Sequence, residues 1–225
     1  DTIVLSFDQE PPKSTTAFLH LGAMATEIGP MIIALKFCQA IACADIPATL
    51  TDYTVLDIRA TNDNPEQAEI TEIGAVRIRN GEETENFHTF LKSENSTTDA
   101  PTFQEVYLTL QSFVGIDVIV SHNGYAFDFQ VLAREARRNG RARLPNPTLD
   151  TLPMARCYCP DANANLTLLC ERYNILQPQA DATTQDTCQI LHKIFEAMKI
   201  ERTSRYRRMK IERILDQVAL GMLFQ

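Results

Sequence analysis

Three aspartates stand out because each is a carboxylate placed beside an apolar stretch. Asp57 lies in Tyr53-Thr-Val-Leu-Asp-Ile58, Asp128 closes Ser121-His-Asn-Gly-Tyr-Ala-Phe-Asp128, and Asp186 precedes Ile190, Leu191, Ile194 and Phe195. An acid in such surroundings is costly unless it is paired, hydrogen-bonded or bound to metal. Three that converge have the chemistry of a divalent-cation site, since hard cations take oxygen ligands. Each also has a plainer reading on its own: Asp186 caps its helix, and Asp128 suits a helix N-terminus. Two further charges complicate the site. Strand side chains repeat every two residues, so Arg59 shares a face with Asp57, and its guanidinium is a permanent cation that ligates nothing. Asp181 lies five residues before Asp186 in a polar loop.

Several other chemistries are excluded. No two of the eight glycines are separated by a single residue, so neither the dinucleotide fingerprint nor the phosphate-cradling loop can be written. None of the four histidines forms H-E-x-x-H. The pair Cys157 and Cys159, with Cys170 and Cys188, fits no C-x2-C zinc spacing; small buried residues in a reduced, cytoplasmic setting are the better reading. Glu27, Pro30, Lys36 and Asp45 interrupt the best apolar run short of the ~18 residues a membrane helix needs, so no membrane partner is expected. The formal net charge of −8 argues against a nonspecific nucleic-acid coat, which needs clustered cations. Two basic clusters run against that average: Arg134, Arg137, Arg138, Arg141 and Arg143, and Arg202, Arg205, Arg207, Arg208, Lys210 and Arg213 around Tyr206. Either is a phosphate contact or a solvated helix face.

The elements that must position the aspartates are legible. At 225 residues the chain suits one sizeable domain with an appendage. Residues 1–50, broken at Pro11-Pro12 and Gly29-Pro30, read as an extended and helical segment. Residues 51–200 form the main domain, and 201–225 an amphipathic helix whose stripe is Ile211, Ile214, Leu215, Val218 and Met222. Within the main domain, strands are predicted at 53–58, 70–79 and 85–91, with Asn80-Gly81 as a hairpin turn. A helix opens after Pro101 and a short strand covers 118–120. Helices follow at 127–138, 151–157, 165–174, 183–199 and 205–223. This order predicts an α/β fold, a mixed sheet with helices packed on it.

Together the motifs resemble the DnaQ-like (DEDDh) superfamily of 3′–5′ exonucleases. Thr54-Val-Leu-Asp-Ile-Arg-Ala-Thr61 and Glu66-Gln-Ala-Glu-Ile-Thr-Glu-Ile-Gly-Ala-Val76 are similar to the family's D-x-E-T-T motif and the I-x-E-I-G-A-V strand after it. Val118 to Leu132 is similar to the second motif, and Asp181-Ala-Thr-Thr-Gln-Asp186 occupies the place of the third, H-x-A-x-x-D. Asp99 to Phe103, Asn146 to Leu152 and Leu166 to Asn174 follow in the family's order, so the resemblance covers residues 52–199. It implies a ribonuclease-H-like five-stranded sheet and removal of nucleotides from a single-stranded DNA or RNA 3′ end. Mg2+ or Mn2+ would be held by Asp57, Asp128, Asp186 and one further carboxylate, with a histidine as general base. It further implies nucleic-acid contacts at Thr61, Asn123, Phe127, Arg134 and Arg138, and a place in a larger polymerase or helicase polypeptide.

Two of the five catalytic positions depart from the pattern. The expected glutamate is Arg59, and the expected histidine is Asp181. The expectation is that Arg59 takes the place of a metal, bridging Asp57 with Asp128 or Asp186, so that no cofactor binds. Ionised Asp181 is a poorer proton acceptor than imidazole. The stretch between Leu91 and Asp99 is also shorter than in relatives, where it contacts terminal bases. An impaired exonuclease kept for nucleic-acid binding or scaffolding in a replication or repair protein is therefore expected, with an active metal-dependent exonuclease as the alternative.

Overall fold

The computed structural model describes residues 50–93, 99–158 and 164–201. The N-terminal segment, the helix expected at 205–223 and most of the short stretch after Leu91 lie outside the described residues.

Strand β1 (Tyr53–Ala60) pairs antiparallel with β2 (Ile70–Arg79), which pairs antiparallel with β3 (Glu82–Phe90). Asn80 (φ 53°) and Gly81 (φ 81°) both have left-handed backbone, the geometry that a two-residue hairpin matching strand twist requires. Because the turn is this tight, β3 starts at Glu82, three residues ahead of the expected 85. Helix α1 (Phe103–Val114) follows, with Thr102 and Glu105 forming a reciprocal capping box. Strand β4 (Ile119–Ser121) then returns parallel to β1. After α2 (Asp128–Arg138) comes β5 (Thr148–Asp150), parallel to β4. Three residues long, β5 carries too little alternation to be read from pattern. The sheet order is β3-β2-β1-β4-β5, the expected mixed five-stranded sheet. Helices α3 (Thr151–Tyr158), α4 (Leu166–Tyr173) and α5, helical over 184–201, complete the described domain.

The sheet separates two cores. On one face Leu56, Ile58 and Ile73 pack with Tyr107, Leu110 and Val131 of α1 and α2. On the other, Val55, Val76 and Ile78 pack with Leu169 of α4 and Leu191, Ile194 and Phe195 of α5. Cys170 and Cys188 are free thiols buried in this second core, as expected of small interior residues. The odd positions of β1 face α5, and Asp57 and Arg59 continue that series beyond Val55 at the strand's C-terminal end.

Candidate active site

Asp57 and Asp128 meet where β1 outruns its parallel neighbour. Strand β4 pairs with β1 only at Thr54 and Val55, leaving the Ile58 N–H beyond its end without a strand partner. Asp128, in the first turn of α2, accepts that N–H through Oδ1 at 3.2 Å and the Ser121 hydroxyl through Oδ2 at 3.0 Å. Only 4% of Asp128 is exposed. Burial pushes its carboxyl up to about 6, against the opposing pull of Ser121 and Ile58. Asp57 is raised well above the usual carboxylate range, first by burial and then by the negative charge of Asp128, with Arg59 opposing. Burial also raises the Cys188 thiol, and the two aspartates add to it.

The loop carrying Asp128 is fixed by Asp150 at the end of β5. Its carboxylate accepts the N–H of Asn123 at 2.8 Å, of Tyr125 at 3.0 Å and of Leu152 at 2.9 Å. Asn123 sits in the left-handed region at φ 65°. Gly124 is required here, since a Cβ would lie 2.7 Å from the Phe129 ring and 2.8 Å from Ser121 Cβ. Asp150 was legible as part of a motif, but its role in holding the loop needs the fold, because Asn123 and Tyr125 lie 27 and 25 residues away.

Arg59 does not bridge the aspartates. Its Nη1 lies 2.9 Å from Glu72 Oε2, and its Nη2 donates to the Ala182 carbonyl. Arg59 and Glu72 are directly opposite in the β1–β2 register, so the guanidinium reaches across to the next strand instead of back along its own. The side chain stays 49% exposed.

Glu72, which sequence reasoning missed as a site residue, is the better satisfied acid. It is 2% exposed and accepts the Thr184 N–H at 2.8 Å, the Thr184 hydroxyl at 3.2 Å and His88 Nε2–H at 2.8 Å, besides Arg59. Burial raises its pKa, but the Thr184 N–H, His88 and Arg59 outweigh burial and hold it below the usual range. It thereby caps the N-terminus of α5 from the neighbouring strand. Gly74, two residues on, allows that approach: a Cβ there would lie 2.4 Å from Gln185 N and Thr184 C. The Glu-x-Gly spacing within Ile70 to Val76 is thus one device, an acid that caps a helix and a gap that admits it. His88 stands opposite Gly74, on the face that bears Asp57.

Asp186 is exposed, and its Oδ2 accepts the Thr183 N–H and hydroxyl at 2.7 Å each, while its own N–H donates to the Thr183 hydroxyl at 3.2 Å. These bonds lower its pKa, helped by the nearby Arg59 cation. The plainer reading of Asp186 as a cap therefore holds in this geometry. Asp181 is exposed in the loop before α5. Among the described residues no group of three or more His, Cys, Asp or Glu side chains is arranged to hold a metal ion. Arg59 stands at one of the expected ligand positions, and the Asp186 carboxylate is engaged by Thr183.

The residues expected to contact nucleic acid differ in how far the fold engages them. Thr61 Oγ1 accepts the Glu69 N–H at 3.0 Å. The Asn123 side chain is exposed, and Phe127 packs against the α1/α2 core. The Arg134 guanidinium is engaged by the Pro65 and Ala68 carbonyls and by Glu135, tying the loop before β2 to α2. Arg138 is 46% exposed beside Glu135. The second basic cluster lies outside the described residues.

The family RNase_T, described as Exonuclease, matches residues 54–191. The PolC-type DNA polymerase III of Clostridium perfringens is 31% identical over 169 residues, covering 67% of this chain and 12% of that protein. Its counterpart in Halalkalibacterium halodurans is 27% identical over 148 residues, covering 59% and 10%. The chain thus spans about a tenth of these relatives. Among solved structures, E. coli exonuclease I in complex with a dT13 oligonucleotide superposes with TM-score 0.55 at 14% identity, over 71% of this chain and 43% of that one. A product-bound exonuclease I gives TM-score 0.53 at 15% identity, over 67% and 43%.

Proposed function

The chain belongs to the RNase_T exonuclease family, and from that membership we propose that it is a DnaQ-like exonuclease domain with an impaired hydrolytic centre, retained to bind nucleic acid or to scaffold a larger DNA-replication polypeptide. The Arg59–Glu72 ion pair carries this reading. It places a fixed cation where the family motif has a metal-binding glutamate, and the neighbouring strand holds it there. Asp181 in place of the motif histidine supports it, since loss of a general base alone costs ~10²- to 10⁴-fold. The polymerase relatives, in which a match of this length is a small part of the polypeptide, support a place within a larger protein. The single-stranded partner is drawn from the oligonucleotide-bound exonuclease I.

The competing reading is an active exonuclease using Mg2+ or Mn2+ on Asp57, Asp128 and Asp186 to release nucleoside monophosphates from 3′ ends. The adjacency of Asp57 and Asp128 favours it. Trimming of a 5′-labelled single strand in Mg2+ and Mn2+ separates the two. The wild-type chain is expected to trim little, and the double variant Arg59→Glu, Asp181→His to trim at least ~10²-fold faster. Robust wild-type trimming, abolished by Asp57→Ala, would overturn the impaired centre.

A further inference from the structure

One well-formed opening in the domain lies away from the carboxylates. A cavity of about 610 Å³ lies between α1, α2 and the 143–148 loop, in the size range of small-molecule sites. Its walls include Tyr107 of α1, Tyr125 in the loop before α2 and Phe129 in the first turn of α2. The Tyr125 and Phe129 rings stand 5.6 Å apart, edge to face, and Tyr125 is half exposed. Tyr125 is held in place by its hydroxyl on the Thr148 carbonyl at 2.8 Å.

The charge at this cavity opposes the charge of the chain. Arg137 and Arg143 line it, both exposed, and neither forms an ion pair among the described residues. Arg141, next along the chain, is close enough to Tyr107 to pull against the upward shift that burial gives that phenol. Glu66 is the one acidic lining residue, on the exposed side near Pro65. Arg134, also in the wall, is engaged by carbonyls and serves as structure. Two unpaired guanidinium forks beside aromatic walls, in a protein of net charge −8, match a ligand with a planar ring body and a terminal phosphate.

We propose that this cavity is a nucleotide site, taking a base against Tyr125 and Phe129 and a phosphate on Arg137 and Arg143. Its source is either a free nucleoside monophosphate or one nucleotide of a strand, and both present the same chemistry. The site does not depend on the state of the carboxylates, because none of Asp57, Asp128 or Asp186 lines it.

Isothermal titration of the full chain with dAMP in EDTA tests it, with adenosine and inorganic phosphate as part-ligands. One dAMP should bind per chain, at least ~10-fold tighter than adenosine or phosphate. The double variant Arg137→Glu, Arg143→Glu should lose at least ~10-fold in affinity with an unchanged melting temperature, because both side chains are exposed and unpaired. Tyr125→Ala should weaken binding as well, and Asp57→Asn should leave it intact. Displacement of dAMP by an oligonucleotide assigns the site to a strand, and failure to displace assigns it to the free nucleotide. Absence of dAMP binding, binding unaffected by the arginine pair, or binding lost in Asp57→Asn would each overturn the proposal.

Discussion

Glu72 and the Asp57/Asp128 pair sit at the same end of one sheet, and both are acids withdrawn from water. Glu72 collects three donor groups besides a guanidinium and is held below the ordinary carboxylate range. Asp128 has the Ser121 hydroxyl, the Ile58 N–H and its own backbone N–H, shares its surroundings with Asp57, and is pushed up to about 6 by burial. A carboxylate that serves the fold is given its partners by the fold. A carboxylate buried beside a second acid is held toward its neutral form, and such imbalance is common at functional sites. The difference also locates the effect of Arg59: it completes the structural acid and offsets the burial of Asp57 only in part.

The largest effect should come from destroying the satisfied member. Glu72→Ala leaves the Thr184 N–H buried without an acceptor and Arg59 without its carboxylate, so a loss of about 3–5 kcal/mol is expected in urea unfolding. A loss below about 1 kcal/mol would show that the capping of α5 by β2 contributes little. Gly74→Ala attacks the same contact from the backbone. The added Cβ meets Gln185 N and Thr184 C, main-chain atoms with no rotamer to yield, and about 2–3 kcal/mol of destabilisation is expected.

The Asp57/Asp128 pair should respond in the opposite direction. A carboxyl whose folded pKa is raised stabilises the fold fully below its unfolded value and loses that contribution as pH rises through its folded value. For Asp128 this window runs from the ordinary aspartate value near 4 to about 6. In EDTA, Asp128→Asn should therefore melt higher than wild type at pH 8, by the equivalent of about 1–2 kcal/mol, and the gain should vanish at pH 4. Glu72, with its lowered pKa, contributes stability above the ordinary glutamate range that is lost only as pH falls through its folded value. The Glu72→Gln defect should accordingly be largest at neutral pH and shrink in acid. Equal slopes for the two variants would erase the distinction between the sites.

The strands at 53, 70 and 119 and the Asn80-Gly81 turn were legible because burial imposes a two-residue period and a tight hairpin demands left-handed residues. The placing of Asp57 and Asp128 at strand ends followed from the same pattern. Arg59 was identified as the anomaly, but its partner was not, because that depends on which β2 residue lies opposite in register. Glu72 and Asp150 went unassigned for a related reason. Each acts on backbone N–H groups far along the chain, and no local spacing reveals such a bond. Strand β5 was invisible to pattern because three residues cannot show a period.

Asp186 tests where the comparison ends. It has donors, like Glu72, yet it is exposed, like a ligand waiting for its ion. Its bonds to Thr183 close a capping box at the start of α5, so Asp186→Ala should cost about 0.5–1 kcal/mol of stability, well below Glu72→Ala. Manganese titration of the wild-type chain supplies the second readout. If Asp186 serves only as a cap, the variant loses stability and the metal isotherm does not change. If it also belongs to a cation site with Asp57 and Asp128, the variant loses manganese affinity by more than the helix cap explains. Asp186 would then join the pair, and the restoring change Arg59→Glu should tighten the same isotherm.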